Sequence, residues 1–160
     1  MIKKLSNYLL LTITLIGFLA LSQNAEAQRT SGDFGIGIII GEPTGISPKL
    51  WTGSNTALAA AASWSFSRNA TIHLHLDYQI HNFSLINVDR GSMSFYYGIG
   101  GRLLARENRD SKLGVRLPLG LNYLFPNDPL EIFMEIVPIL DLAPDTDFSG
   151  NGGLGIRYYF

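Results

Sequence analysis

Thr71-Ile72-His73-Leu74-His75-Leu76-Asp77-Tyr78-Gln79-Ile80-His81-Asn82-Phe83 is the stretch whose reading decides the fold. Its even positions from Ile72 to Ile80 are apolar or aromatic. Its odd positions (His73, His75, Asp77, Gln79, His81) are polar. Side chains alternate between the two faces of an extended chain, so this period of two predicts a β-strand with one greasy and one polar side.

The same alternation recurs in Phe34–Gly41, Ile46–Trp51, Thr56–Phe66, Met93–Leu104, Lys112–Phe125, Leu130–Leu142 and Gly152–Phe160. Turn chemistry separates the runs, as in Glu42-Pro43-Thr44-Gly45 and Pro126-Asn127-Asp128-Pro129. Ala57 and Ala59 to Ala62 favour helix by propensity, but the following Trp64-Ser65-Phe66 alternates like the other strands. Eight runs joined by short turns predict an all-β, up-and-down antiparallel meander.

The faces then predict the solvent. Leu113, Val115, Leu117, Leu119 and Leu121 share one side of their run, and Leu130, Ile132, Met134 and Ile136 one side of the next. Charges within the runs fall on the other face, together with the small residues Gly35, Gly37, Ala57, Ala59, Ala61, Ser63, Gly98 and Gly100. Small residues suit a narrow interior where strands converge. The continuous apolar face is then the outside, and an apolar outside means lipid. Closure follows, because an open sheet edge in hydrocarbon leaves backbone groups unsatisfied. With both termini in the periplasm, Phe34, Phe95, Tyr97, Tyr123, Phe125, Tyr158 and Phe160 fall at the periplasmic end of the lipid face. Trp64 and Phe66 fall at the outer end, completing two interfacial belts.

Composition excludes several classes. The 160 residues contain no cysteine, so disulfide frameworks and cysteine-based metal or redox sites are absent. Twelve Lys and Arg against 13 Asp and Glu give a net charge of −1, which argues against a nucleic-acid partner. Lys3 and Lys4, the apolar run Tyr8–Leu21 and Ala25-Glu26-Ala27 predict a signal peptide over residues 1–27, cleaved before Gln28. Residues 28–160 form the predicted barrel domain, exported to the outer membrane of a diderm, Gram-negative bacterium.

The closing Gly153-Leu154-Gly155-Ile156-Arg157-Tyr158-Tyr159-Phe160 resembles the C-terminal signal of bacterial outer-membrane barrels. The whole chain is similar in plan to the small eight-stranded outer-membrane proteins of the A and X type. Gly41-Glu42-Pro43-Thr44-Gly45 and Tyr97-Gly98-Ile99-Gly100-Gly101-Arg102 resemble a family of small barrels of uncharacterised function. The resemblance implies a closed eight-stranded transmembrane barrel in the cell envelope. It also implies recognition of Ile156, Tyr158 and Phe160 by the outer-membrane assembly machinery. The chain departs from many relatives in its short surface loops, and from the A type in lacking a peptidoglycan-binding domain.

The candidate chemistry is an interior polar network. Lys49, Arg102, Arg116 and Arg157 face Asp77, Glu131, Glu135 and Asp141, four charges against four, with His73, His75 and His81 beside them. A barrel of eight strands is just wide enough for its own side chains, so the expectation is a plug of ion pairs. Turn lengths place Arg157 near Glu135, Arg116 diagonal to Asp141, and Arg102 nearly opposite Arg116 with Asp77 or Asp141 close by. His73 and His75 lie ~6.6 Å apart along a strand, whereas zinc needs donors at ~2.0–2.2 Å. Neither a metal nor a cofactor is expected.

No Gly-x-Ser-x-Gly or His-Glu-x-x-His occurs, so no catalytic residues are assigned and no enzyme is expected. The outer loops Glu42–Gly45, Ser67–Ala70, Arg106–Ser111 and Pro144–Asn151 are the remaining place for a surface ligand. The sequence therefore predicts an integral outer-membrane protein, contacting outer-membrane lipids, with a structural or surface-interaction role. The alternatives are a soluble periplasmic barrel for a lipophilic ligand, a narrow channel, and a lipid-modifying enzyme using Ser63 or His75.

Overall fold

The computed structural model describes residues 32–65, 71–107 and 110–160. The signal peptide assigned to residues 1–27, Phe66, the loop 67–70 and residues 108–109 lie outside the described residues. The described chain is all β: β1 (Phe34–Gly41), β2 (Gly45–Ile46), β3 (Lys49–Trp51), β4 (Thr56–Ser65), β5 (Thr71–Asn82), β6 (Ser92–Arg106), β7 (Lys112–Arg116), β8 (Leu119–Leu124), β9 (Leu130–Ala143) and β10 (Asp147–Tyr159).

Ten strands replace the eight predicted runs because two runs are each divided at a proline. Pro48 separates β2 from β3, and Pro118 separates β7 from β8. Proline has no N–H to give to a ladder, yet its carbonyl still accepts. Ala60 N donates to Pro48 O (2.9 Å) and Gly98 N to Pro118 O (2.9 Å), so neighbouring strands stay in register across both breaks.

Every pairing is antiparallel, and sequential strands are neighbours except that β2 and β3, and β7 and β8, lie end to end along the same neighbours. The path of pairings also returns to its start: β9 pairs β10, and β10 pairs β1 from Gly35↔Tyr159 to Gly41↔Gly153. From Gly35 the register can be followed through Lys49, Ala59, Asp77, Gly100, Arg116 and Ile139 to Ser149. Ser149 lies ten residues before Tyr159, the direct partner of Gly35 on β10. The ring is therefore staggered by ten residues.

One boundary moves substantially. β10 begins at Asp147, five residues before the predicted Gly152, and Asp147 already pairs Asp141. The expected loop Pro144–Asn151 shrinks to residues 144–146. Ser149, Gly150 and Asn151 read as loop by composition, but a backbone ladder does not need large side chains, and β9 supplies its partners.

The two faces separate as the alternation predicts. Lys49, Asp77, Arg116, Glu131 and Asp141 are at most 1% exposed, whereas Ile136 is 66% and Leu154 61% exposed. The charged residues of the strands are inside and most branched aliphatics outside, with Ile39, Val137 and Ile139 the buried exceptions, the reverse of the usual water-soluble pattern. Tyr97, Tyr158 and Phe34 are exposed near the end of the ring that carries both described termini, and Trp64 is exposed near the other.

Candidate functional site

The polar interior is the only concentration of chemistry among the described residues, and it is built from the inward positions of β3 to β10. All eleven residues named for it from the sequence (Lys49, His73, His75, Asp77, His81, Arg102, Arg116, Glu131, Glu135, Asp141, Arg157) are buried. Nine of them, all but His73 and His81, divide into three ion clusters along the axis.

The first centres on Glu131. Arg157 Nη1 donates to its Oε1 (2.6 Å), the Tyr159 hydroxyl to its Oε2 (2.5 Å), and Lys49 Nζ to both oxygens (3.3 Å). Arg157 also donates to the Ser47 hydroxyl (2.7 Å) and carbonyl (3.1 Å), holding the interrupted β2–β3 segment against β10. Lys49 lies over the Trp51 ring at 4.5 Å, and Arg157 over Phe133 at 3.7 Å. Cation–π contact supplements the single carboxylate that both cations share.

The second centres on Arg116. Its Nε donates to Asp77 Oδ1 (2.9 Å), and its Nη2 to Glu135 Oε1 (3.3 Å), which also accepts at Oε2 from the Tyr96 hydroxyl (3.0 Å). Arg116 Nη1 lies 2.9 Å from His75 Nδ1. Guanidinium can only donate, so Nδ1 carries the lone pair and the His75 proton sits on Nε2, 3.7 Å from Asp77 Oδ2.

The third lies toward the end opposite the termini. Arg102 grips Asp141 through Nε (2.9 Å) and Nη2 (2.7 Å) and also donates to Ser149 (3.0 Å). Lys112 joins Asp141 (3.0 Å) to the exposed Asp147 (3.1 Å). Separately, His81 Nδ1 contacts the Ser94 hydroxyl (2.9 Å), which donates to Asn122 Oδ1.

The sequence-based pairing of Arg157 with Glu135 is corrected: Arg157 stands opposite Glu131. The hairpin pairs about residue 144, with Asp147 already opposite Asp141, which shifts the partner of Arg157 by four residues. Arg116 does lie diagonal to Asp141, since its register partner is Ile139. Its ion pairs nevertheless run along the inner wall, over Gly100 to Asp77 on β5 and along β9 to Glu135. Arg102 faces Gly114, two residues from Arg116, with Asp141 as its counter-ion.

Sequence reasoning did not single out Ser47, Tyr96, Lys112, Ser149 or Tyr159 as network members. Tyr96 and Tyr159 share the phase of Gly98 and Arg157, which is the signal that would have found them.

Chemically, the arrangement holds charges against one another. His73 and His75 rings lie 5.7 Å apart, and no group of three or more His, Asp or Glu among the described residues comes together as a metal site. Ser63 stands directly across from His73 in the ladder.

In structural comparison the chain is similar to the N-terminal β-barrel domain of Pseudomonas aeruginosa OprF. The TM-score is 0.59 at 14% identity, covering 82% of this chain and all of that one. The likeness is one of fold, a β-barrel. The sequence matches no curated protein. A family model described as protein of unknown function (DUF3996) matches residues 25–158, nearly the whole chain, and the protein belongs to that family.

Proposed function

We propose that the protein is an integral outer-membrane barrel of a diderm bacterium, closed by eight staves, with a structural or surface-interaction role and no catalysis. The observation that carries this reading is the inverted burial: Arg116, Asp77 and Glu131 inside, Ile136, Leu154 and Trp64 outside. An aqueous protein would expose the charges and bury the aliphatics. A soluble lipophilic-ligand barrel would need Ile132 inside, and it is 44% exposed.

Counting each proline-divided run as one stave, the ring geometry supports the same reading. A stagger of ten residues is a slip of ~33 Å, against a circumference of ~38 Å for eight strands, giving a tilt of about 40°. Closed barrels tilt by about 35–45°, and strands of 10 to 15 residues, as in β4, β5, β6, β9 and β10, suffice to cross a bilayer at that tilt.

Residues 1–27 act as the export signal, and Ile156, Tyr158 and Phe160 address the chain to the assembly machinery. The matched interior charges favour a plug over a conducting path, because each cation already has a carboxylate within hydrogen-bond range. That leaves the turns 42–44 and 144–146, with the other outer loops expected from the sequence, as the surface for any ligand.

The test is heat modifiability of membrane-extracted protein. The expected result is a detergent-requiring fraction whose unboiled band migrates apart from the boiled chain. A detergent-free, soluble protein without a band shift would refute the reading.

A further inference from the structure

The two proline breaks in the wall are not equivalent. Proline has no N–H, so each break takes one donor from the ladder and leaves the facing carbonyl to find another. At Pro48 the loss is made good. Ala60 N donates to Pro48 O (2.9 Å), and the Ser47 hydroxyl donates to Ala60 O (3.2 Å) in place of the missing N–H.

At Pro118 it is not. Gly98 N donates to Pro118 O (2.9 Å), which makes the two a hydrogen-bonded pair whose return bond, from residue 118 to Gly98 O, cannot form. The register runs unbroken on both sides, through Gly100↔Arg116 and Tyr97↔Leu119, so the backbone supplies no substitute. Among the described residues no side chain donates to Gly98 O. The β9 side of the break is similar: Leu117 N donates to Pro138 O (3.0 Å), and Pro138 has no N–H to return.

A second observation falls on the same rung. Gln79 is the register partner of Gly98. It is 1% exposed, and its Oε1 is buried without a hydrogen-bond partner among the described residues. The neighbouring rung shows how an inward side chain of β5 lies. Asp77, Gly100 and Arg116 are successive register partners, and Asp77 reaches over the glycine to Arg116 Nε at 2.9 Å. Gln79, Gly98 and Pro118 repeat that order two residues on, with a side chain one methylene longer and a proline where the arginine stood.

We propose that one water molecule is built into the wall at Pro118, donating one hydrogen to Gly98 O and the other to Gln79 Oε1. Extended over Gly98 as Asp77 is over Gly100, the Gln79 amide comes to the same proline that Gly98 O faces. Two acceptors without donors match the two hydrogens of a water, and buried waters serve polar groups left unsatisfied in this way. Two oxygens are too few for a hard cation, which takes ~6 ligands. The inference rests on the transmembrane reading above. A lipid-embedded wall must answer its carbonyls from within, whereas a wall bathed in water would have them answered from outside.

The experiment is solution NMR of the mature, isotope-labelled protein in detergent micelles. It reads magnetisation transfer from water to the Cα protons of Gly98 and, as internal control at the other break, of Ala60. Heat modifiability is measured on the same samples. The expected result is a water cross-peak at Gly98 and none at Ala60. Pro118→Ala restores the missing N–H and should abolish the cross-peak. Gln79→Leu removes the second acceptor and should abolish it too, with the band shift kept in both variants. A cross-peak that survives both substitutions, or one of equal strength at Ala60, overturns the proposal. So does a detergent-methylene cross-peak at Gly98 in place of the water, because the break then opens to lipid. Absence of a band shift in the unsubstituted protein refutes the transmembrane reading itself, whereas a normal shift without a water cross-peak at Gly98 refutes the built-in water alone.

Discussion

Glu131 on β9 and Arg157 on β10 are direct register partners whose side chains meet at 2.6 Å, the carboxylate fully enclosed and the guanidinium 3% exposed. Lys49 reaches the same carboxylate from β3 at 3.3 Å. One acid therefore neutralises cations from both sides of the seam where β10 meets β1. Charges taken from water at this depth are tolerated only while paired.

Replacing Glu131 by Gln should accordingly cost about 3–5 kcal/mol, because Lys49 and Arg157 are left without a counter-charge. Denaturant unfolding in detergent micelles, followed by loss of the fast-migrating unboiled band, measures it. Adding Lys49→Met to Glu131→Gln should recover part of the loss, since one stranded cation is removed.

At the opposite end the same chemistry should matter much less. Asp147 is 61% exposed and the Lys112 side chain 24%, and Asp141 keeps Arg102 if Lys112 is lost. Lys112→Ala should leave the unfolding midpoint close to that of the unsubstituted protein. The difference from the unsubstituted protein should shrink further as salt is raised, measured by the same unfolding assay.

Two glycines should respond oppositely to the same added methyl group. A Cβ on Gly37 would lie 1.8 Å from the Ile156 carbonyl oxygen, in the β1–β10 ladder. On Gly101 the nearest atom is 3.9 Å away. Gly37→Ala should therefore deplete the folded band on refolding, while Gly101→Ala should refold like the parent. Equal yields for both would contradict the closeness of β1 and β10.

Ile136 stands midway along β9 and is 66% exposed. Facing lipid there, an arginine should cost about 2–4 kcal/mol in vesicle-embedded protein. On a water-facing surface the same change should stay within about 0.5 kcal/mol. Unfolding of Ile136→Arg from phospholipid vesicles distinguishes the two, with the parent as reference.

The sequence by itself determined the strands, the two faces and the set of buried charges. A period of two is a local property: in Thr71–Phe83 each residue's side is fixed by its neighbours along the chain, whatever the partner strand. The inverted dressing could be read the same way, because His73 to His81 share one side and Ile72 to Ile80 the other.

Which charge meets which was decided only by the tertiary structure. Partner choice depends on register, and register depends on where each hairpin turns and where each ladder is interrupted. A hairpin paired about residue 144 moved Arg157 from Glu135 to Glu131. The proline breaks at 48 and 118 left the ladders in register but divided two strands, and Arg116 met Asp77 over Gly100 as Arg102 met Asp141 over Gly114. Gly35, Gly153 and Gly155 are visible in the sequence as small residues, but only the tertiary structure brings the Tyr159, Ile39 and Phe133 side chains over them on the inner face.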